Sequence, residues 1–274
     1  LQHLMANAAL NGVDDLVLLN AEQVRDMEPE IVCVAACLSP STGIVDTHGY
    51  MQALEGSLMA HGGQVVLRNK VSAATVIPCG AFKLFIESDE ESYPITSRYI
   101  VNAAGLGASR IGRFFGGHEG YRVPQTFPAK GHYFHLSGAS PVSHLIYPMP
   151  SGAWLGVHLT LDWTGKVKFG PDLEWLDRDD GVLDYSFDGR NGRRQQLFER
   201  EIRRYWPGLP VDALFPDYTG IRPKIYRKGE PVADFAIHDE RDHGIAGLVS
   251  LYGIESPGLT ASLAIGSEVA RRLS

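Results

Sequence analysis

The sequence predicts a mixed α/β chain in which nucleotide-fold material occupies two separated stretches and a strand-rich domain fills the rest. Three observations carry this. An extended run at 98–103 passes through Gly105-Leu106-Gly107 into a helical stretch at 108–115, which reads strand, glycine turn, helix. An apolar run at 245–251 passes through a second glycine turn, Gly253 and Gly258, into a closing helix at 259–273. Between them, 125–158 alternates strand-like segments with Gly, Ser and Pro. The expected division is therefore 43–124 with 245–274 against 1–42 with 125–244.

Along the chain, Leu1, Leu4, Met5 and Ala8 share one helical face, and Asn11-Gly12 stops that helix. A short strand at 17–19 precedes Asn20, which caps a helix ending near Pro29. A strand at 33–38 closes on the turn cluster 39–43, and Asp46 or Thr47 caps a helix at 48–60. Runs at 64–67, 81–87 and 98–103 are rich in Val, Ile and Phe and predict strands. Further strands are expected at 131–136, 145–148, 153–158, 213–221 and 233–238, and a helix at 190–206.

The formal net charge of −7, with no basic block, excludes a nucleic-acid backbone as partner. Cys33, Cys37 and Cys79 lack a second ligand pair at zinc spacing, so no metal is expected. They read as buried thiols in a reducing, cytoplasmic setting. No apolar run approaches the roughly 20 residues that span a bilayer. The first ten residues carry neither a basic n-region nor a cleavage site, and the sequence reads as beginning inside a helix. No Ser-His-Asp order, His-Glu-x-x-His or phosphate-binding P-loop points to a hydrolase or kinase.

Neither glycine turn is a dinucleotide fingerprint. At Gly105-Leu106-Gly107-Ala108-Ser109-Arg110, arginine stands where the third glycine belongs, and no acidic residue closes a strand about 20 residues later. It reads as a strand-to-helix turn packing beside a cofactor. The turn from Gly253 to Gly258 reads either as an ordinary helix start or as a helix N-terminus facing an anionic ligand atom.

Val101-Asn102-Ala103-Ala104-Gly105 resembles the second flavin-contacting strand of the D-amino-acid-oxidase-like FAD superfamily. Gly253-Ile254-Glu255-Ser256-Pro257-Gly258-Leu259-Thr260 is similar to that superfamily's flavin-ring loop. Gly43-Ile44-Val45-Asp46, Lys130-Gly131-His132-Tyr133-Phe134, Leu145-Ile146-Tyr147-Pro148, Leu155-Gly156-Val157-His158-Leu159-Thr160 and Gly220-Ile221-Arg222-Pro223-Lys224 follow in an order that resembles the L-2-hydroxyglutarate dehydrogenase branch. Lys130 stands where many members of the branch have Arg. The resemblance implies an FAD-binding Rossmann-like domain, here without a Gly-x-Gly-x-x-Gly unit and so incomplete, beside a strand-rich substrate domain. It implies FAD as cofactor, contacted by Asn102, Ala103, Ala104, Gly105, Gly220, Arg222, Gly253, Ile254, Glu255, Ser256, Gly258 and Leu259.

The implied reaction takes an L-2-hydroxy acid to the 2-oxo acid, with hydride passing to flavin N5 and electrons onward to an acceptor such as a quinone. A cation must hold the carboxylate, and Arg222 is expected to do so with its planar fork. A base must take the hydroxyl proton: His158 first, His48 second, His132 less so. Lys130, Tyr147, Thr160 and Lys224 are expected to complete the substrate pocket, with either lysine as holder of a distal carboxylate. Buried structural histidines, a surface arginine and strand-packing Tyr147 and Thr160 are the plain alternatives. Two rival functions stay open: an amino-acid or amine oxidase on the same scaffold, and a non-catalytic fragment acting as a binding module. Peripheral contact with a membrane surface also stays open.

Overall fold

Residues 1–78, 80–149, 156–176, 183–187 and 192–274 are described by a computed structural model. The element order is α1 (Gln2–Leu10), β1 (Val17–Asn20), α2 (Ala21–Met27), β2 (Ala35–Leu38), α3 (Thr47–Ala60), β3 (Asn69–Val76), β4 (Phe82–Ser88), β5 (Ser92–Ser97) and β6 (Ile100–Asn102). It continues with α4 (Ala108–Phe115), β7 (Phe127–Leu136), β8 (His158–Leu161), β9 (Val167–Gly170), β10 (Glu174–Trp175), α5 (Arg193–Ile202), β11 (Leu214–Lys224), β12 (Ala236–His238), α6 (Glu240–His243), β13 (Leu248–Tyr252) and α7 (Ser262–Leu273). The chain forms two compact units, 1–61 with 131–173 and 184–220, and 62–130 with 174–183 and 221–274. The expected blocks cut the chain at other points, since 43–61 falls in the first unit and 221–244 in the second.

In the first unit β1 and β2 form an antiparallel pair, and α2 starts on a full capping box: Asn20 accepts from the Gln23 amide while the Gln23 side chain accepts from the Asn20 amide. Strand β9 lies between β8 and β7, both antiparallel to it. Phe134, Leu159, Phe169, Phe198 and Ile202 are fully buried and build the core with Trp206 and Leu214. Asp46 rather than Thr47 caps α3, accepting from the Gly49 amide. Neither α1 nor α3 buries a residue, so the apolar face expected on the first helix is not packed into this core.

The second unit contains the antiparallel sheet β3-β4-β5 and a smaller sheet in which β13 pairs antiparallel with β12 and parallel with β6. Phe82, Leu84, Ile86 and Leu248 form one apolar cluster, and Val249, Leu251 and Val269 another. Helix α4 packs Ile111 inward, and Gly112 lies where a Cβ would collide with the Tyr252 hydroxyl. Strand β11 pairs with β7.

Several expectations are corrected. Residues 64–67 are not a strand; Arg68 turns the chain at φ +56°, and the strand begins at Asn69. The 145–148 run makes only an isolated bridge from Ile146 to Leu159. Of the expected 153–158 strand, 153–155 lie outside the described residues, and β8 starts at His158. Residues 190–191 of the expected helix also lie outside them, and α5 ends at Ile202. Cys33 and Cys37 are free thiols but only half-buried, while Cys79 lies outside the described residues. Among the described residues no helix is long and apolar enough to cross a membrane.

One buried carboxylate ties distant parts of the first unit together. Glu28 Oε1 accepts from the Ser143 amide (2.9 Å) and hydroxyl (2.7 Å) and the His144 amide (2.9 Å), with His144 Nδ1 at 2.6 Å. Burial pushes its carboxyl up, but the hydrogen bonds from Ser143 and His144 outweigh that and hold it below the ordinary 4.5. A depressed carboxylate contributes stability above its unfolded-state value and loses it as pH falls through its folded-state value. Glu28→Gln is therefore expected to lower stability at neutral pH and to flatten the loss of stability below about pH 4.5, measured by urea unfolding at several pH values. Phe198→Ala, at a ring wholly buried and 4.7 Å from that of Phe134, is expected to cost about 3–5 kcal/mol in the same measurement.

Candidate active site

The second unit brings the two glycine turns to one sheet end. Parallel pairing sets Leu248 opposite Ile100, Val249 opposite Val101 and Ser250 opposite Asn102. Both strands therefore finish side by side, at the carboxyl end where open α/β sheets place their ligands. Beyond β6 the chain makes a single 3-10 turn, Gly105–Gly107, and enters α4; beyond β13 it turns at Gly253 and leads to α7. Asn102 is buried, donates from Nδ2 to Ala108 O at 2.9 Å, and lies 3.5 Å from Ser250 Oγ. Its Oδ1 is buried without a hydrogen-bond partner among the described residues, an uncommon condition for a buried acceptor.

The second turn is tight. Gly253 has φ +69°, and a Cβ there would lie 3.0 Å from Ile225 Cγ1, so this backbone presses on the chain just after β11. At Gly258 a Cβ would come within 2.6 Å of both Glu255 O and Ile254 Cγ2. The Gly258 amide donates to Glu255 O, and Thr260 Oγ1 donates to Pro257 O at 3.0 Å.

From this loop Glu255 reaches the end of β11. Its carboxylate accepts from Arg222 Nη1 at 3.2 Å and from Lys224 Nζ at 2.8 and 3.2 Å. Lys224 Nζ also donates to Tyr226 Oη at 2.8 Å, and the Tyr226 ring meets Trp175 edge-on at 5.7 Å. Arg222 and Lys224 alternate at the strand period and so share a face of β11, and Tyr226 follows two residues beyond the strand's end. The sequence reading missed Tyr226 and the side-chain partnership of Glu255. The period-two spacing of Arg222, Lys224 and Tyr226 was the signal available. Lys130 is buried on β7, opposite Glu174 of β10.

The first unit holds the other expected residues. His158 opens β8 with its imidazole stacked on Tyr147, ring centroids 4.0 Å apart. Partial desolvation, and then the nearby Tyr133 phenol, push the Tyr147 phenol up, with little energetic weight because much of the residue is open to solvent. Thr160 Oγ1 approaches Lys168 O at 3.4 Å, a long contact that serves the strand pair. His48 stands exposed in the first turn of α3. His132 is wholly buried, with its backbone amide donating to Asp172 at 2.8 Å and its Nδ1 2.9 Å from the same oxygen. Arg194 grips the other oxygen of Asp172, and burial pulls the arginine down from its ordinary value. His132 thus belongs to a buried structural network. Gly220 lies at the last residue of this unit on β11.

A family model described as DAO, FAD dependent oxidoreductase, matches residues 1–272. The chain belongs to this family of FAD-dependent oxidoreductases. Its sequence is 39% identical over 300 residues to the mitochondrial L-2-hydroxyglutarate dehydrogenase of Arabidopsis thaliana, covering 98% of this chain and 62% of that protein. It is 26% identical to the L-2-hydroxyglutarate dehydrogenase of Salmonella houtenae, covering 98% and 68%. The fold matches that of dithionite-reduced L-alpha-glycerophosphate oxidase from Mycoplasma pneumoniae with FAD bound, with TM-score 0.76 at 19% identity, covering 95% of this chain and 65% of that one. The chain thus spans about two thirds of the length of these proteins.

FAD is the cofactor of the family, and the second unit fits the flavin: a buried acceptor on Asn102 without a partner, and two glycine turns at the ends of adjacent parallel strands. Gly258→Ala is expected to weaken FAD retention about tenfold, because the added methyl must displace the Glu255 carbonyl, an overpacking cost of about 1–3 kcal/mol. Flavin absorbance after gel filtration checks it, with Gly266→Ala, where a Cβ meets open space, as the control.

Proposed function

We propose that the chain serves FAD-dependent oxidation of an L-2-hydroxy acid of the 2-hydroxyglutarate type to the corresponding 2-oxo acid. One observation carries the reading: Arg222, a partly exposed cation, is held through Glu255 by the loop that follows the parallel strand β13. A 39% identity to a plant L-2-hydroxyglutarate dehydrogenase across 98% of the chain supports the substrate class.

In this reading 62–130 with 174–183 and 221–274 hold the flavin through Asn102, Ala103, Ala104, Gly105 and the 253–259 loop. Bound FAD supplies the hydride acceptor for the C–H bond that breaks. Arg222 binds and orients the substrate carboxylate with a planar, permanently charged fork. The proton of the substrate hydroxyl goes to His158, whose ring Tyr147 holds by stacking, with His48 as the second candidate. Lys130 is a further substrate-binding candidate in the unit that holds Arg222, and Thr160 one in the unit that holds His158. The electrons pass onward to an acceptor such as a quinone. The half-buried free thiols of Cys33 and Cys37 support a reducing, cytoplasmic location.

The test is turnover of L-2-hydroxyglutarate by the FAD-supplemented chain with a redox dye, beside its D-isomer and a panel of amino acids. Oxidation of the L-hydroxy acid is expected, and turnover of amino acids alone would overturn the reading in favour of an amino-acid oxidase. Arg222→Met is expected to lower kcat/KM by roughly a hundredfold, the scale of a lost charge-assisted bidentate contact of about 3 kcal/mol. His158→Gln is expected to lower kcat by about 100-fold or more, with a loss that shrinks as pH rises.

A further inference from the structure

The cluster at the end of β11 has an unequal charge count. Two cations, Arg222 and Lys224, share one carboxylate, Glu255, which leaves one net positive charge. The three groups are not equally accessible: the side chain of Lys224 is 5% exposed and that of Glu255 12%, while that of Arg222 is 21% exposed. Lys224 directs its donors at Tyr226 Oη and at both oxygens of Glu255, so its three protons all have acceptors. The bond to Glu255 uses Nη1 of Arg222, and a guanidinium has five donors in a rigid fork.

We propose that Glu255 is a positioning residue: anchored by buried Lys224, its carboxylate fixes the plane of the Arg222 guanidinium and leaves the cluster one positive charge for one substrate carboxylate. The inference rests on the assignment of Arg222 as the carboxylate holder. It changes the role of Lys224 from holder of a distal carboxylate to anchor of Glu255. It also explains why an acidic residue stands in a loop that serves an anionic substrate. Without Glu255, two unopposed cations would draw a carboxylate tightly but in no fixed orientation. The second carboxylate of a dicarboxylic substrate is then held by a group other than Lys224.

The experiment uses the full 274-residue chain with FAD, comparing wild type, Glu255→Gln, Arg222→Met and the double variant. Calorimetry measures binding of 2-oxoglutarate, L-lactate and glycine, and steady-state assays measure kcat and KM for L-2-hydroxyglutarate. Glu255→Gln is expected to bind carboxylates as tightly as wild type or tighter, with kcat at least tenfold lower. In the Arg222→Met background the same change is expected to alter kcat less than twofold, because Glu255 acts through Arg222. Glu255→Asp, which keeps the charge with a shorter reach, restores part of kcat and serves in place of Glu255→Gln if that variant does not fold. A full loss of kcat from Glu255→Gln in the Arg222→Met background overturns the proposal, as does weaker carboxylate binding with unchanged kcat. If wild type binds L-lactate or glycine but neither binds 2-oxoglutarate nor oxidises L-2-hydroxyglutarate, the substrate reading falls. The positioning role then stands if Glu255→Gln leaves that binding intact and Arg222→Met removes it. If no carboxylate binds wild type, both fall.

Discussion

Three parallel backbone pairings, Ile100 with Leu248, Val101 with Val249 and Asn102 with Ser250, hold the candidate flavin site of this chain together. They join stretches whose paired residues Asn102 and Ser250 are 148 positions apart. Everything ascribed to the cofactor follows from that register. It puts the turn at Gly105 and the turn at Gly253 at one sheet end, and it places Glu255 where its side chain meets β11. A slip of one residue would send every side chain of the short strand β6 to the other face and separate Asn102 from Ser250. The register is supported by burial on both sides, since Leu248, Val249 and Leu251 all enter apolar clusters.

The two buried charge networks differ in what they leave open. In the first unit Asp172 is held from one side by His132 and from the other by Arg194, and all three are buried. A carboxylate so enclosed fixes β7 against α5 and offers little to a ligand. In the second unit Glu255 is likewise held twice, by Arg222 and Lys224, but the arginine keeps a partly exposed guanidinium. Similar chemistry thus encloses every charge in one place and leaves one cation partly open to solvent in the other.

Local signals in the sequence were read well where they act locally. The α4 helix spans the expected 108–115, because a glycine turn begins it and Gly116, at φ +68°, stops it. Asn20 and Asp46 cap as their side chains suggest. Errors fall where tertiary context overrides propensity. Val65, Val66 and Leu67 have strand-forming side chains but remain exposed, and Arg68 turns left-handed before β3 starts. The β5 strand escaped notice because it is polar, contains Pro94 and pairs on one side, as an edge strand can. The short strands β9 and β10 carry too few residues to announce a period.

The sequence by itself determined the family and the class of cofactor, because ordered short motifs are properties of the chain order. Tertiary structure alone decided which charges meet. Glu255 and Lys224 are 31 residues apart, and Asp172 and His132 are 40 apart, so no local spacing could couple them. It also decided that His132 is enclosed in a buried network while the His158 ring rests on Tyr147. The physical reason is that burial and charge pairing depend on distances in space, which the chain acquires only when non-adjacent strands close upon one another.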